Sequence, residues 1–149
     1  MKTLRFTLLL SALLALAGAF TAARAEERVS LQGILIAASN QEGQTDRRLA
    51  PFEGNLRRVL RFRSYRYIGE GSASLGVPGE GSLSLGRGHR LELSTDGSRG
   101  DQVRVSVQWR DGGSTVLNTG LSLAPGAHTV LGGARGENDE VYAVILIRR

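Results

Sequence analysis

The chain contains no cysteine and a single lysine, Lys2. Without thiols it can have no disulfide framework, no nucleophilic cysteine, no thiolate zinc site and no iron–sulfur cluster. Without a lysine after position 2, Schiff-base chemistry and the lysine of a P-loop are excluded from the body of the chain. Histidine is nearly as scarce. His89 and His128 are the only two, too few for the usual ligand sets of a dedicated transition-metal site. Aromatic residues make up 5%, which argues against the aromatic girdles of a membrane β-barrel, whose strands also run to about 9–11 residues.

No apolar run reaches the roughly 20 residues that a membrane-spanning helix needs. The longest, Phe6–Phe20, is broken by Ser11 and Gly18. It follows Lys2 and Arg5 and precedes Ala23-Arg24-Ala25. A charged start, an apolar middle and a small-x-small end make a secretory signal peptide over residues 1–25, cut after Ala25. No cysteine follows the cut to carry a lipid. The expected product is a soluble single β-rich domain, residues 26–149, in the periplasm of a Gram-negative bacterium or outside the cell.

Removing that segment changes the charge. The whole chain has 19 basic and 14 acidic side chains, for a net charge of +5. Lys2, Arg5 and Arg24 leave with the peptide, so 16 basic against 14 acidic gives +2. A nucleic-acid-binding domain carries a stronger positive excess, so no specific nucleic acid is expected as a partner.

The remaining pattern predicts strand, helix and then about six strands. Val29–Ser39 is short, β-branched and apolar, with Gly33 as a bulge or close-approach point. After the polar stretch Asn40–Asp46, Thr45 or Asp46 can cap a helix running to about Arg61. Its apolar face is Leu49, Phe52, Leu56, Val59 and Leu60. Tyr65 and Tyr67 begin β structure. Then comes an echo: Gly69-Glu70-Gly71-Ser72-Ala73-Ser74-Leu75-Gly76, repeated as Gly79-Glu80-Gly81-Ser82-Leu83-Ser84-Leu85-Gly86. Two units are too few for a solenoid, and two short strands joined at Val77-Pro78-Gly79 are expected instead. Leu83 and Leu85 face Leu91 and Leu93 across Gly86-Arg87-Gly88, a hairpin signature.

Val103, Val105, Val107 and Trp109 alternate with polar residues, as in a half-buried strand. Asp111-Gly112-Gly113 turns into a strand over Thr115–Leu123. His128–Leu131 follows, Gly132-Gly133 opens a loop, and Val141–Ile147 is apolar on both faces, as an interior strand covered on both sides would be. The fold class is α+β: a mainly antiparallel β-sheet or sandwich with one amphipathic helix near the mature N-terminus.

Several constellations bear on function. Arg47, Arg48, Arg57, Arg58, Arg61, Arg63 and Arg66 crowd one segment. Arg57, Arg58 and Arg61 fall largely off the apolar stripe and form a candidate site for an anionic partner. The alternative is a solvated helix face whose stems pack on apolar neighbours. The glycine repeats match neither a phosphate-binding fingerprint nor a hydrolase elbow and read as strand and turn glycines. Ser72, Ser82 or Ser84 with His89 or His128 would be needed for a serine hydrolase, but both histidines fall at turns, where exposed polar residues are expected. Glu137, Asn138, Asp139 and Glu140 lack the spacing of a calcium loop. Arg99-Gly100-Asp101 is a natural turn composition. No cofactor, metal site or catalytic residue is assigned.

Val103–Gly133 contains an alternating strand, then Leu117-Asn118-Thr119-Gly120-Leu121, Pro125-Gly126 and Thr129-Val130-Leu131-Gly132-Gly133. It resembles the end of the core β-domain of bacterial secretins, where a threonine-bearing strand precedes a glycine turn, a hydrophobic strand and a Gly-Gly pair. The match spans about a quarter of the mature chain, which lacks the length for a gated channel and the apolar lip. The resemblance implies a similar strand–turn–strand unit, as in an accessory of an export or pilus apparatus. Taken together, the sequence leads to a non-catalytic exported domain that binds a protein partner or an anionic ligand, or that assembles. A secretin-like accessory and a small serine hydrolase are the alternatives.

Overall fold

The computed structural model describes residues 27–149; the signal peptide read over residues 1–25 lies outside them. The elements are β1 (Arg28–Ser39), a 3-10 turn (Arg47–Phe52) leading into α1 (Glu53–Leu60), β2 (Ser64–Gly76), β3 (Gly79–Gly86), β4 (His89–Arg99), β5 (Gln102–Asp111), β6 (Ser114–Leu123), β7 (His128–Arg135) and β8 (Val141–Arg148). They form two four-stranded sheets, ordered β2-β1-β8-β7 and β3-β4-β5-β6. Every strand pairing is antiparallel.

The apolar residues form two layers. Leu31 and Leu35 of β1 and Val144 and Leu146 of β8 meet Leu91, Val105, Val107 and Trp109 of the facing sheet. Ile34, Ile36, Ala38, Ala143, Ile145 and Ile147 project from the other face of β1 and β8 and are covered by Leu49, Leu56 and Tyr65. The two central strands of this sheet are therefore apolar on both faces because one face meets a sheet and the other a helix. Among the described residues the second sheet has no such cover, and its strands alternate.

Three local outcomes differ from the sequence pattern. The helix is split: Asp46 caps a 3-10 turn that contains Pro51, and only Glu53–Leu60 is α-helical. Proline cannot donate the interior hydrogen bond of an α-helix. Val59, expected on the apolar stripe, is 52% exposed, because the short helix rests on Leu49 and Leu56. Gly132-Gly133 does not open a loop. β7 runs through it to Arg135 with a bulge between Gly132 and Ala134.

The glycine echo has a steric origin. The first unit ends β2, which is one continuous strand, and the second forms β3, in the other sheet. Where β2 runs alongside β3, a Cβ on Gly69 would overlap the carbonyl oxygen of Leu85, and one on Gly71 that of Ser84. Only glycine lets the two backbones approach so closely. The buried Thr95 hydroxyl closes the corner by donating to Gly76 O at 2.6 Å. The sandwich is thus sealed along its β2–β3 side.

Candidate interaction surfaces

The arginine segment wraps the helix end of the molecule. The Asp46 carboxylate accepts the Arg48 backbone N–H at 3.0 Å and two side-chain N–H groups of Arg48 at 3.1 and 2.8 Å. These bonds from the Arg48 side chain and backbone hold its pKa down, from 3.8 to about 2. The Arg48 guanidinium lies over the Tyr67 ring, 3.8 Å from its centroid. Burial, followed by the nearby Glu70 carboxylate, pushes the Tyr67 phenol above its ordinary range.

Arg57, Arg58 and Arg61 are all exposed. Arg57 pairs with Glu53 one turn back at 2.9 Å, and Arg58 donates to Asn55 Oδ1 at 2.8 Å. Arg61 ends the helix in the left-handed conformation, φ 57°, and among the described residues it has no ion pair or side-chain hydrogen bond. Arg66 binds Glu140 at 2.8 Å and Arg63 faces Glu42 at 3.6 Å. Acidic and amide groups are therefore interleaved among the guanidiniums: Asp46, Glu53 and Asn55 from the same segment, and Glu42 and Glu140 only through the fold.

The serine and histidine candidates are not brought together. Ser72, Ser82 and Ser84 are exposed on β2 and β3, and Ser82 Oγ accepts from Arg90 at 3.0 Å. His89, expected to be exposed at a turn, is 2% exposed. Its Nδ1 accepts the Trp109 indole N–H at 3.1 Å, and its ring meets Tyr142 edge-on at 5.0 Å. Trp109 occupies the lone pair that a general base would use. His128 is exposed and packs edge-on against Phe52 at 5.2 Å, with Asn55 Nδ2 3.4 Å from its Nε2. Among the described residues no three histidine or carboxylate side chains converge on a cation-sized site.

The outer face of the β3–β6 sheet holds an open hollow of about 530 Å³ lined by Ser82, Arg90, Glu92, Ser94, Gln108 and Asn118, among others. The alternation of a sheet solvated on one face accounts for this surface.

The fourth surface is an edge. Sequence reading marks β6 as a strand but cannot say that it lies at the end of its sheet. Among the described residues it pairs with β5 alone, and across the sandwich it has no backbone hydrogen bond to β7. Its ten residues, Ser114–Leu123, include no charge and no proline, although charges and prolines are the usual means of blunting an exposed edge. β7, the neighbouring edge, is shorter, bulged and ends in Arg135. On the core side of β6, Leu117, Thr119 and Leu121 are only half-buried. The register sets them opposite Trp109, Val107 and Val105, so the apolar layer runs out to the edge uncovered. The Arg148 guanidinium pins the strand's end by donating to Leu123 O at 2.9 Å.

No helix among the described residues is long and apolar enough to cross a membrane. No protein-family model, curated protein or solved structure matches the chain.

Proposed function

We propose that this is an exported, non-catalytic domain that works by binding or assembly, with the β6 edge as the surface that receives its partner. The observation that carries the reading is a ten-residue edge strand with no charge, no proline and half-buried leucines behind it. Outward-pointing N–H and C=O groups on such an edge pair with an added strand, while the alternate side chains select it. Export is supported by the pattern of residues 1–25.

The accessory reading draws on the same surface. The stretch that resembles the secretin β-domain, Val103–Gly133, spans β5, β6 and most of β7. Anion binding at Arg57, Arg58 and Arg61 has less support, since Glu53 and Asn55 already engage two of the three. The hydrolase reading has no serine–histidine contact behind it.

The test is a photo-crosslinking residue at Asn118, on the solvent row of β6, in the cells that make the protein. The mature chain is expected to begin at Glu26 and to form a protein adduct at Asn118, with none when the same group replaces Arg63. An exported chain that forms no adduct at Asn118 would sink the reading.

A further inference from the structure

The edge also suggests what pairs with it. We propose that the partner strand is β6 of a second copy, joined antiparallel about a two-fold axis at Thr119; this rests on the edge reading above. Antiparallel self-pairing sets residue i opposite residue j with a constant sum i + j. The sum must be even, because an odd one places a core-facing side chain opposite a solvent-facing one. Among the registers that keep nearly the whole strand paired, the one centred on Thr119 sets Leu117 opposite Leu121 of the second copy. Thr119 meets its own equivalent, and Asn118 meets Gly120. Each copy then covers the half-buried leucines of the other.

Charge permits the same arrangement. β6 has no charged residue, so a two-fold axis brings no like charges face to face, which is the usual penalty of self-pairing. The two Arg148 guanidiniums, each at its own Leu123 O, fall at opposite ends of the paired strands, and the nearest charges on the sheet, Arg104, Arg110 and Asp111, sit one strand back on β5. Three strand spacings separate them from their equivalents, roughly 14 Å, beyond the screening length of about 8 Å at physiological salt. A threonine–threonine pair directly across two strands is favourable, and the leucine–leucine pairs beside it remove apolar surface from water. The interface is isologous and therefore closes at two copies without forming a fibre.

The absence of cysteine makes the axis testable. Sedimentation of the purified mature chain is expected to show a dimer that dissociates on dilution. Thr119→Cys should convert it to a disulfide-linked dimer under mild oxidation, whereas Ser114→Cys should not. Thr119→Lys should raise the dimer Kd by roughly tenfold or more, because an inward-pointing charge blocks an edge, with its circular dichroism unchanged. A chain that stays monomeric at every concentration, or a dimer in which Ser114→Cys crosslinks and Thr119→Cys does not, overturns the proposal. If Asn118 then captures only a different protein in cells, self-pairing is wrong and the edge reading stands. If it captures nothing, both fall.

Discussion

The indole N–H of Trp109 donates to Nδ1 of His89 at 3.1 Å, and both side chains are buried between the sheets. Tryptophan is a donor only, so the neutral imidazole carries its proton on Nε2. That atom points toward Asp111 Oδ1, 3.9 Å away. The pair lets a large aromatic residue be buried without an orphaned polar group.

His89→Ala should therefore destabilise the fold by about 1–3 kcal/mol for the stranded Trp109 N–H, and further for the space left behind. In a Trp109→Phe background the same substitution should cost about 1 kcal/mol less. Denaturant unfolding of the four chains measures the difference. Equal costs in both backgrounds would show that the hydrogen bond contributes nothing.

Asp46 caps the 3-10 turn while paired to Arg48, and its pKa is lowered from 3.8 to about 2. A depressed folded-state pKa stabilises the fold above the unfolded value, and that contribution is lost as pH falls through the folded one. Asp46→Ala should lower Tm at neutral pH, with the gap from the unaltered chain narrowing between about pH 4 and pH 2. Asp46→Asn, which keeps the acceptor oxygen, should fall between them. Thermal melts across that range decide it.

Two glycines should respond oppositely to alanine. Gly71→Ala drives a methyl into the Ser84 carbonyl at the β2–β3 corner and should cost about 1–3 kcal/mol, as overpacking does. Gly54 sits in α1 with nothing within 4 Å of its would-be Cβ. Gly54→Ala should stabilise by roughly 0.4–1 kcal/mol. Equal effects from the two would remove the steric account of the glycine echo.

Replacing Arg57, Arg58 and Arg61 together by alanine should leave the Asn118 adduct intact while reducing retention on a phosphate column. An adduct lost with the arginines would move the partner surface from the β6 edge to the helix.

Most of the architecture was legible in the residue pattern. The alternation of Val103 to Trp109 and the two-faced apolarity of Val141–Ile147 each report a local environment, and both strands form where the pattern sets them, whereas the segment capped by Asp46 is α-helical only from Glu53. The pattern failed where distant backbone decided. His89 looks like an exposed turn residue until Trp109 and Tyr142 close over it. The arginine run carries Asp46 and Glu53 within it but looks strongly positive until the fold adds Glu42 and Glu140.

By itself the sequence excluded thiol and lysine chemistry from residues 27–149, and it marked the strand-rich body and the two-faced apolarity of Val141–Ile147. Side-chain type and period are local properties, and they suffice for those conclusions. Only the tertiary structure decided that β2 and β3 seal one side of the sandwich while β6 is left at an edge. Strand order depends on pairings between segments far apart in the chain, and no single strand carries that information.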